Sequence, residues 1–447
     1  MDADNSLNIL TDLVAKARAA GADAADGVSV ESSCLSVALR MGHLDTVERS
    51  EGGDLGLRVL IGRRQAIASS SDRSPKALDE LVERAVAMAR RMPEDPFCGL
   101  AETERLAADL PVLDIDDPVE PACSVLIDYV KRAEESARSV EGVTNSGGAE
   151  AGWGRSRVTM AGSNGIAHSY WVSNAQLSAS VLAGNGEGGM ERDYDFSAKV
   201  YFSDLDTPED IGRRAGMRAV RRLGARKAKS ARVPVVFDPR VSRSLLGHLA
   251  SAVNGGAIAR GISFLKDSLG QRIMPPGSTI IDDPHRPRGL RSKPCDAEGV
   301  TNGRRIIVED GILKSWVLDL RSARQIGQDT TGHASRGTCS LPSPSVTNLW
   351  LAPGTMSPAD LIGDIANGFY VTELIGMGVN GITGDYSRGA AGFWIENGEL
   401  TYAVNEVTVA GNLKTMLMGM HAADDLDFRY GVDAPTVRID GMTVAGI

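Results

Sequence analysis

Three dipeptides constrain this chain most. Asp310-Gly311 lies between Ile306-Ile307-Val308 and Ile312-Leu313, Asn397-Gly398 lies between Phe393-Trp394-Ile395 and Leu400-Thr401-Tyr402, and Asp440-Gly441 separates residues 436–439 from 443–445. Asn or Asp followed by Gly accepts the two positive φ angles of a tight turn, so each reads as a hairpin. Fifty glycines in 447 residues spread the same turn signal along the chain. Residues 229–447 are therefore expected to form a β-rich domain with a large mixed or antiparallel sheet. A strand at 234–237, a helix at 240–253 and helices near 357–367 and 412–420 are expected within it.

Helical and alternating patterns are grouped upstream. Residues 6–20 read as a helix capped by Ser6, with Leu7, Leu10, Leu13, Val14 and Ala17 on one face and Gly21 as its stop. Leu35, Val37 and Leu39 alternate with polar neighbours, as do Leu55, Leu57, Val59 and Ile61 before a turn at Gly62-Arg63. Ser74-Pro75 opens a helix with a stripe of Leu78, Leu81, Val82, Ala85 and Met88. These form an N-terminal α/β unit, 1–92. Residues 93–121, rich in Pro and acids, read as a linker or surface wrap. A middle domain, 122–228, combines a helix at 122–140, hairpins over 142–202 turning at Ser163-Asn164-Gly165, and a helix from Thr207-Pro208 to Gly224. The fold class is α+β and multi-domain.

Charge and motifs exclude several functions. With 48 Lys and Arg against 58 Asp and Glu the net charge is −10, which disfavours nucleic acid as a partner. The basic run at 213–229 reads as a solvated helix face. Residues 158–186 lack formal charge, but Ser and Asn interrupt them, giving a sheet and no membrane span. Cys34, Cys98, Cys123, Cys295 and Cys339 are scattered, as reduced thiols are. With an acidic start, Met1-Asp2-Ala3-Asp4, the expected location is the cytoplasm. No P-loop is present. Residues 254–261 are glycine-rich but follow a helix, so they read as its C-cap. Residues 161–165 imitate a nucleophile elbow in part, within a hairpin turn. Ser387 is flanked by Asp385 and Arg388 without a nearby His. His285, Cys295, His333 and Cys339 read as loop residues, and His248, between Leu246 and Leu249, reads as a packed helix residue. By themselves these residues name no reaction.

Ordered segments do. They are residues 309–316 (EDGILKSW), 323–327 (ARQIG), 343–349 (SPSVTNL), 380–389 (NGITGDYSRG) and 393–398 (FWIENG), with 54–59 (DLGLRV) near the start. This set resembles the TldD/PmbA family of two-subunit bacterial metallopeptidases, across nearly the whole chain. The family's catalytic subunit carries His-Glu-x-x-x-His behind a Leu-Leu pair. Here Leu245-Leu246 is followed by Gly247 at the first His position, His248 at the Glu position and Ala252 at the second His position. Gly and Ala bring no donor, while zinc takes about four, and the base that would activate a bound water is missing. The catalytic subunit's Cys near the C-terminus also has no counterpart between Gly411 and Ile447.

The pattern resembles the companion subunit type, PmbA or TldE. The resemblance implies no cofactor in this chain, with zinc in a TldD-like catalytic partner, and a shared chamber that takes unstructured peptides. It also implies either peptide maturation or turnover of unfolded chains; whether a homodimer forms when the partner is absent is left open by the sequence. Asn380, Thr383, Asp385, Ser387 and Arg388 are the peptide-binding candidates. The alternatives are an independent homodimeric hydrolase using His248 or Ser387, and a regulatory protein of gyrase-modulator type.

Overall fold

The computed structural model describes residues 3–186 and 189–446. Its first layer is built from α1 (Ala3–Ala19), β1 (Ala24–Arg40), β2 (His43–Ile61), β3 (Arg64–Ser70), α2 (Pro75–Ala89), α3 (Cys123–Arg138), β4 (Val143–Gly162), β5 (Ala167–Gly186), β6 (Gly189–Lys199) and α4 (Pro208–Arg221). The six strands form one antiparallel sheet in the order β3-β2-β1-β4-β5-β6. Alternation sorts its faces. Odd-numbered β1 residues carry the helices. Ala25 joins Leu55, Leu57 and Val59 under α1 and α2, and Leu35, Val37 and Leu39 join Leu126 and Val130 of α3 and Ile211 of α4.

Two local expectations change here. Ser6 is buried inside α1, where its hydroxyl donates to Glu31 Oε1 at 2.8 Å, so it caps nothing. On α2, Ser74 does cap the helix, but Met88 is exposed while Val86 and Ala89 turn inward. Residues 93–121 wrap the molecule. Ala107 N donates to Gly299 O and Ser173 N to Ile115 O, both at 2.9 Å, and Leu113 and Ile115 are buried.

On the opposite face, the early even-numbered β1 residues meet the C-terminal part, where Val28 and Val30 pack with Cys295. Asp26 sits directly opposite Arg58 across the β1–β2 ladder and receives its guanidinium on both oxygens, at 3.0 and 2.6 Å. Arg336, from beyond residue 300, reaches the same carboxylate at 2.8 Å. All three side chains are buried, so an ion cluster joins the layers.

That second part holds β7 (Ala231–Phe237), α5 (Pro239–Ala252), α6 (Gly255–Ala259), β8 (Ile280–Asp282), β9 (Arg305–Glu309), β10 (Ile312–Leu313), α7 (Leu320–Ile326), β11 (Ala334–Ser335), β12 (Ser343–Pro344), β13 (Leu349–Leu351) and α8 (Pro358–Gly363). It continues with β14 (Asn367–Ile375), β15 (Asp385–Glu396), β16 (Glu399–Asn412), α9 (Leu413–Met418), β17 (Met420–Ala422), β18 (Val432–Asp433) and β19 (Val437–Ala445). The largest sheet runs β16-β15-β14-β7-β19-β17, and a further pairing of β16 with β19 closes a barrel. Closure removes the outer edges. Phe237, Phe369, Val371, Val409 and Val444 fill the core beside Leu245, Leu246 and Leu249 of α5.

The hairpin signals divide. Asp310-Gly311 joins β9 to β10 and Asn397-Gly398 joins β15 to β16, all four residues at positive φ as a type I′ turn requires. Asp440-Gly441 turns no corner. It is a bulge within the unbroken β19, whose register on β7 shifts between Ile439 and Met442. An extra residue in one strand uses the same Gly conformation as a turn. Two helix expectations also change. Asn254 caps the separate helix α6 through Gly256 N, so 254–261 does not merely end α5. α8 stops at Gly363 because Asn367 already begins β14. Among the described residues, no helix is long and apolar enough to cross a membrane.

Candidate functional site

The site is built on α5. Asp238 caps it by accepting from Arg240 N at 3.0 Å, Pro239 supplies the first turn, and the Tyr370 hydroxyl fixes the Asp238 carboxylate at 2.9 Å. Val241, Ser242, Leu245, Leu246, Leu249 and Ala252 are its buried residues. Arg240, Arg243, Ser244 and Gly247, spaced at three and four residues, line a cleft of about 450 Å³. Asp193 and Tyr194 of β6 and Glu373 of β14 form the far wall.

A neighbouring hollow of about 260 Å³ is lined by His248, Ala252, Phe264, Met377 and Val379. Arg388 of β15 belongs to both spaces. It donates to Leu374 O at 3.4 Å, and its Nε has no partner among the described residues. His248 meets Tyr386 edge-on at 5.9 Å between ring centroids, and among the described residues its Nε2 is also without a partner. Burial, and then the Arg388 charge, hold the imidazole below its ordinary pKa.

This donor set does not fit a catalytic metal. Beside Gly247 lies open space, with nothing within 4 Å of where a Cβ would stand, so the position faces the cleft but carries no ligand. Ala252 lines the adjoining hollow, equally without a donor. The single imidazole sits beside a guanidinium, whose charge opposes a cation there. Among the described residues no group of three or more His, Cys, Asp or Glu is placed to hold a metal. His285 Nε2 instead contacts Asn302 Oδ1 at 2.7 Å, and His333 Nε2 contacts Asp282 at 3.1 Å. Cys295 is buried, its thiol pushed up to about 12 by desolvation, and Cys339 is exposed.

Asn380, Thr383, Asp385, Ser387 and Arg388 separate into two groups. Asn380 Oδ1 accepts from Ile382 N and Thr383 N, while Asp385 accepts from the Thr383 hydroxyl at 2.6 Å and from Asn412 Nδ2 at 3.2 Å. Those three residues tie a turn together. Ser387 shares the exposed face of β15 with Asp385, and Arg388 shares the inner face with Tyr386. The edge beside them is already covered, since Ser387 N donates to Gly378 O at 2.7 Å and Asn380 N to Asp385 O at 2.8 Å. Gly378 permits this, because a Cβ there would stand 2.0 Å from Ser387 O. The close backbone approach is intramolecular.

An open edge lies elsewhere. Parallel pairing of β14 with β7 ends at Val371–Phe237, and residues 372–375 run on into the cleft with no strand on that side among the described residues. Neither this edge nor Arg240 and Arg243 stood out in the sequence. The signal for the arginines was their place seven and four residues before Gly247, on one helical face. The basic run at 213–229 divides: Arg213, Arg221, Arg226, Lys227 and Lys229 are exposed, as a solvated face requires, while the inner arginines are paired. Arg214 and Arg218 bind Asp195, and Arg222 reaches Glu373 at 2.7 Å. Ser163 accepts from Ala25 N at 3.1 Å within its turn.

The pair His248–Arg388 gives a direct test of the site's electrostatics. Arg388→Gln is expected to raise the His248 titration midpoint, because a like charge is removed while burial stays. An NMR pH titration of the imidazole reads it, and an unchanged or lowered midpoint would contradict this geometry.

Comparison with known proteins places this architecture. Residues 230–446 match the PmbA/TldA metallopeptidase C-terminal domain, 116–223 its central domain and 27–89 its domain 1. The chain is 38% identical to Metalloprotease PmbA of Escherichia coli O157:H7, over 98% of this chain and 96% of that one. It is 36% identical to the Metalloprotease PmbA homolog of Haemophilus influenzae, over 96% and 93%. The crystal structure of a putative modulator of DNA gyrase from Bacteroides thetaiotaomicron superposes with TM-score 0.91 at 27% identity, covering 99% of each chain. TldE from Thermococcus kodakarensis has the same fold, with TM-score 0.86 at 21% identity over 98% of this chain and 100% of that one.

Proposed function

Since the chain belongs to the PmbA/TldD metallopeptidase family, we propose that it is the PmbA/TldE-type subunit of a two-chain peptidase. In this reading it holds unstructured peptides while a TldD-like partner cuts them. The observation that carries the reading is α5. It presents Gly247 and Ala252 at two of the positions where the partner type has metal ligands, and Arg388 beside the remaining His248. With neither metal ligands nor a carboxylate base at these positions, α5 has nothing to activate a water, and its cleft-lining Ser244 hydroxyl is bonded to Val241 O at 2.6 Å.

The cleft supports the holding role. Residues 372–375 offer a strand edge to which an extended peptide can add by main-chain hydrogen bonds, a mode that tolerates many side chains. The rigid barrel and α5 fix that edge, and β6 closes the far side, so an extended chain enters where a folded one does not. Exposed Ile375 and Met377 follow that edge in the chain, and Met377 lines the neighbouring hollow. They give the rim apolar surface for a peptide or for the partner subunit.

Mixing the purified chain with a family member that carries His-Glu-x-x-x-His tests this. A stable heterodimer that cleaves an unstructured fluorogenic peptide is expected, with neither chain matching that turnover alone. Equal turnover by this chain alone would overturn the reading.

A further inference from the structure

The cleft above α5 has a surplus of cations with a definite geometry. Two of its arginines are already paired. Arg240 donates to Asp193 at 2.9 Å, and Arg222 binds Glu373 at 2.7 Å. Arg243, Arg388 and the exposed Arg192 make no ion pair among the described residues, and only the first two are held in place by neighbours, Tyr430 and Leu374 O. The Arg243 guanidinium carbon lies over the Tyr430 ring, 4.3 Å from its centroid, and its Nε is engaged with Arg240 O at 3.3 Å. The ring holds the guanidinium in place, and among the described residues both terminal nitrogens are without a hydrogen-bond partner. Arg388 approaches from the opposite strand, and its Nε is buried without a partner among the described residues. Gly247 lines the same cleft, exposed and offering no side chain.

We propose that Arg243 and Arg388 form a carboxylate-binding site in this cleft. It would take either the C-terminal carboxylate of a peptide or an Asp or Glu side chain within it. Two preoriented guanidiniums suit a carboxylate better than a neutral amide, because charge-assisted hydrogen bonds to a planar oxyanion are roughly twice as strong. The free edge of β14 at Leu374 is beside Arg388, so a peptide paired there presents its carboxylate to the two arginines. Positive charge thus occupies a place where the catalytic family members have a metal, and it binds substrate without activating water. The site rests on the peptide-holding reading and adds a chemical preference to it.

Fluorescence anisotropy with the full chain tests both, using one short unstructured Gly/Ser/Thr/Ala peptide in three forms. The forms are an amidated terminus, a free C-terminal carboxylate, and an amidated terminus with a central Asp-Glu pair. At least one carboxylate form is expected to bind about tenfold more tightly than the neutral amide, and whichever gains identifies the source. Arg243→Gln and Arg388→Gln should each remove most of that ratio, while Arg213→Gln, on α4 away from the cleft, should leave it. High salt should also lower the ratio in the unaltered chain, a readout independent of any variant's folding. Equal binding of all three forms overturns the carboxylate site and leaves the peptide-holding role standing. A ratio that survives salt or both Gln substitutions overturns it too, and binding of no form removes the site and the holding role together.

Discussion

Asp26→Ala is expected to remove about 3–5 kcal/mol of folding stability, because it strands two buried cations. The Asp26 carboxylate bonds both Arg58 and Arg336, and all three side chains are at most 3% exposed. A buried ion cluster of this kind adds little compared with an apolar replacement of the whole set, but losing one member leaves the others without solvent or counter-charge. The substitution also acts across the molecule. Arg58 belongs to β2 and Arg336 to a loop of the C-terminal part, so the cluster joins the six-stranded sheet to that part. Burial opposes ionisation of Asp26, yet Arg336 and Arg58 overcome it and hold the carboxyl down to about 2. The folded pKa is depressed. The stabilisation is therefore present above the ordinary Asp range, near 3.8, and is lost as pH falls through about 2. Urea unfolding at neutral pH measures the loss. A change below about 1 kcal/mol, the size of an exposed pair, would mean that the cluster is solvated.

Glu298→Gln should act in the opposite direction. Desolvation, and then the negative charge of Asp296, push the Glu298 carboxyl well above its usual range. Arg58 offers little relief, since it already binds Asp26 twice and its third nitrogen lies 3.9 Å from Glu298. Glu298 Oε2 accepts from Leu320 N at 2.9 Å, a bond that a Gln carbonyl can keep. The folded chain thus holds this proton to higher pH than the unfolded chain does. Stability falls as pH rises from about 4.3, the ordinary Glu value, through the raised folded pKa. The Gln variant never ionises. It should nearly match the unaltered chain at pH 4 and exceed it at pH 8 by about 2–4 kcal/mol. Urea midpoints at the two pH values decide this, and a Gln variant less stable at pH 8 would contradict the burial argument.

What the sequence made legible follows from the range of each signal. Asp310-Gly311 and Asn397-Gly398 are local devices, and both hairpins form where the dipeptides stand. Ser74-Pro75 likewise begins α2. Asp440-Gly441 misleads because a bulge and a tight turn ask the same of a backbone; only the partner strand β7 distinguishes them. Ser6 misleads because a hydroxyl fit for a cap is equally fit to bond Glu31, 25 residues away.

In the candidate site the same division holds. That α5 carries no donor side chain at Gly247 and Ala252 could be read directly, since a missing side chain stays missing in any fold. The cleft could not. It depends on β14 outrunning β7 and on Arg388 arriving beside His248 from a strand far downstream in the chain. It depends equally on Asp193 and Glu373 neutralising some arginines and not others.

The central claim is that α5 of this chain holds no catalytic ion, and zinc stoichiometry tests it most directly. The purified chain is equilibrated with excess zinc, freed of unbound metal and analysed by plasma mass spectrometry, beside His248→Ala. The account predicts well under one zinc per chain and no difference between the two proteins. One tightly held zinc per chain, lost in His248→Ala, would contradict it.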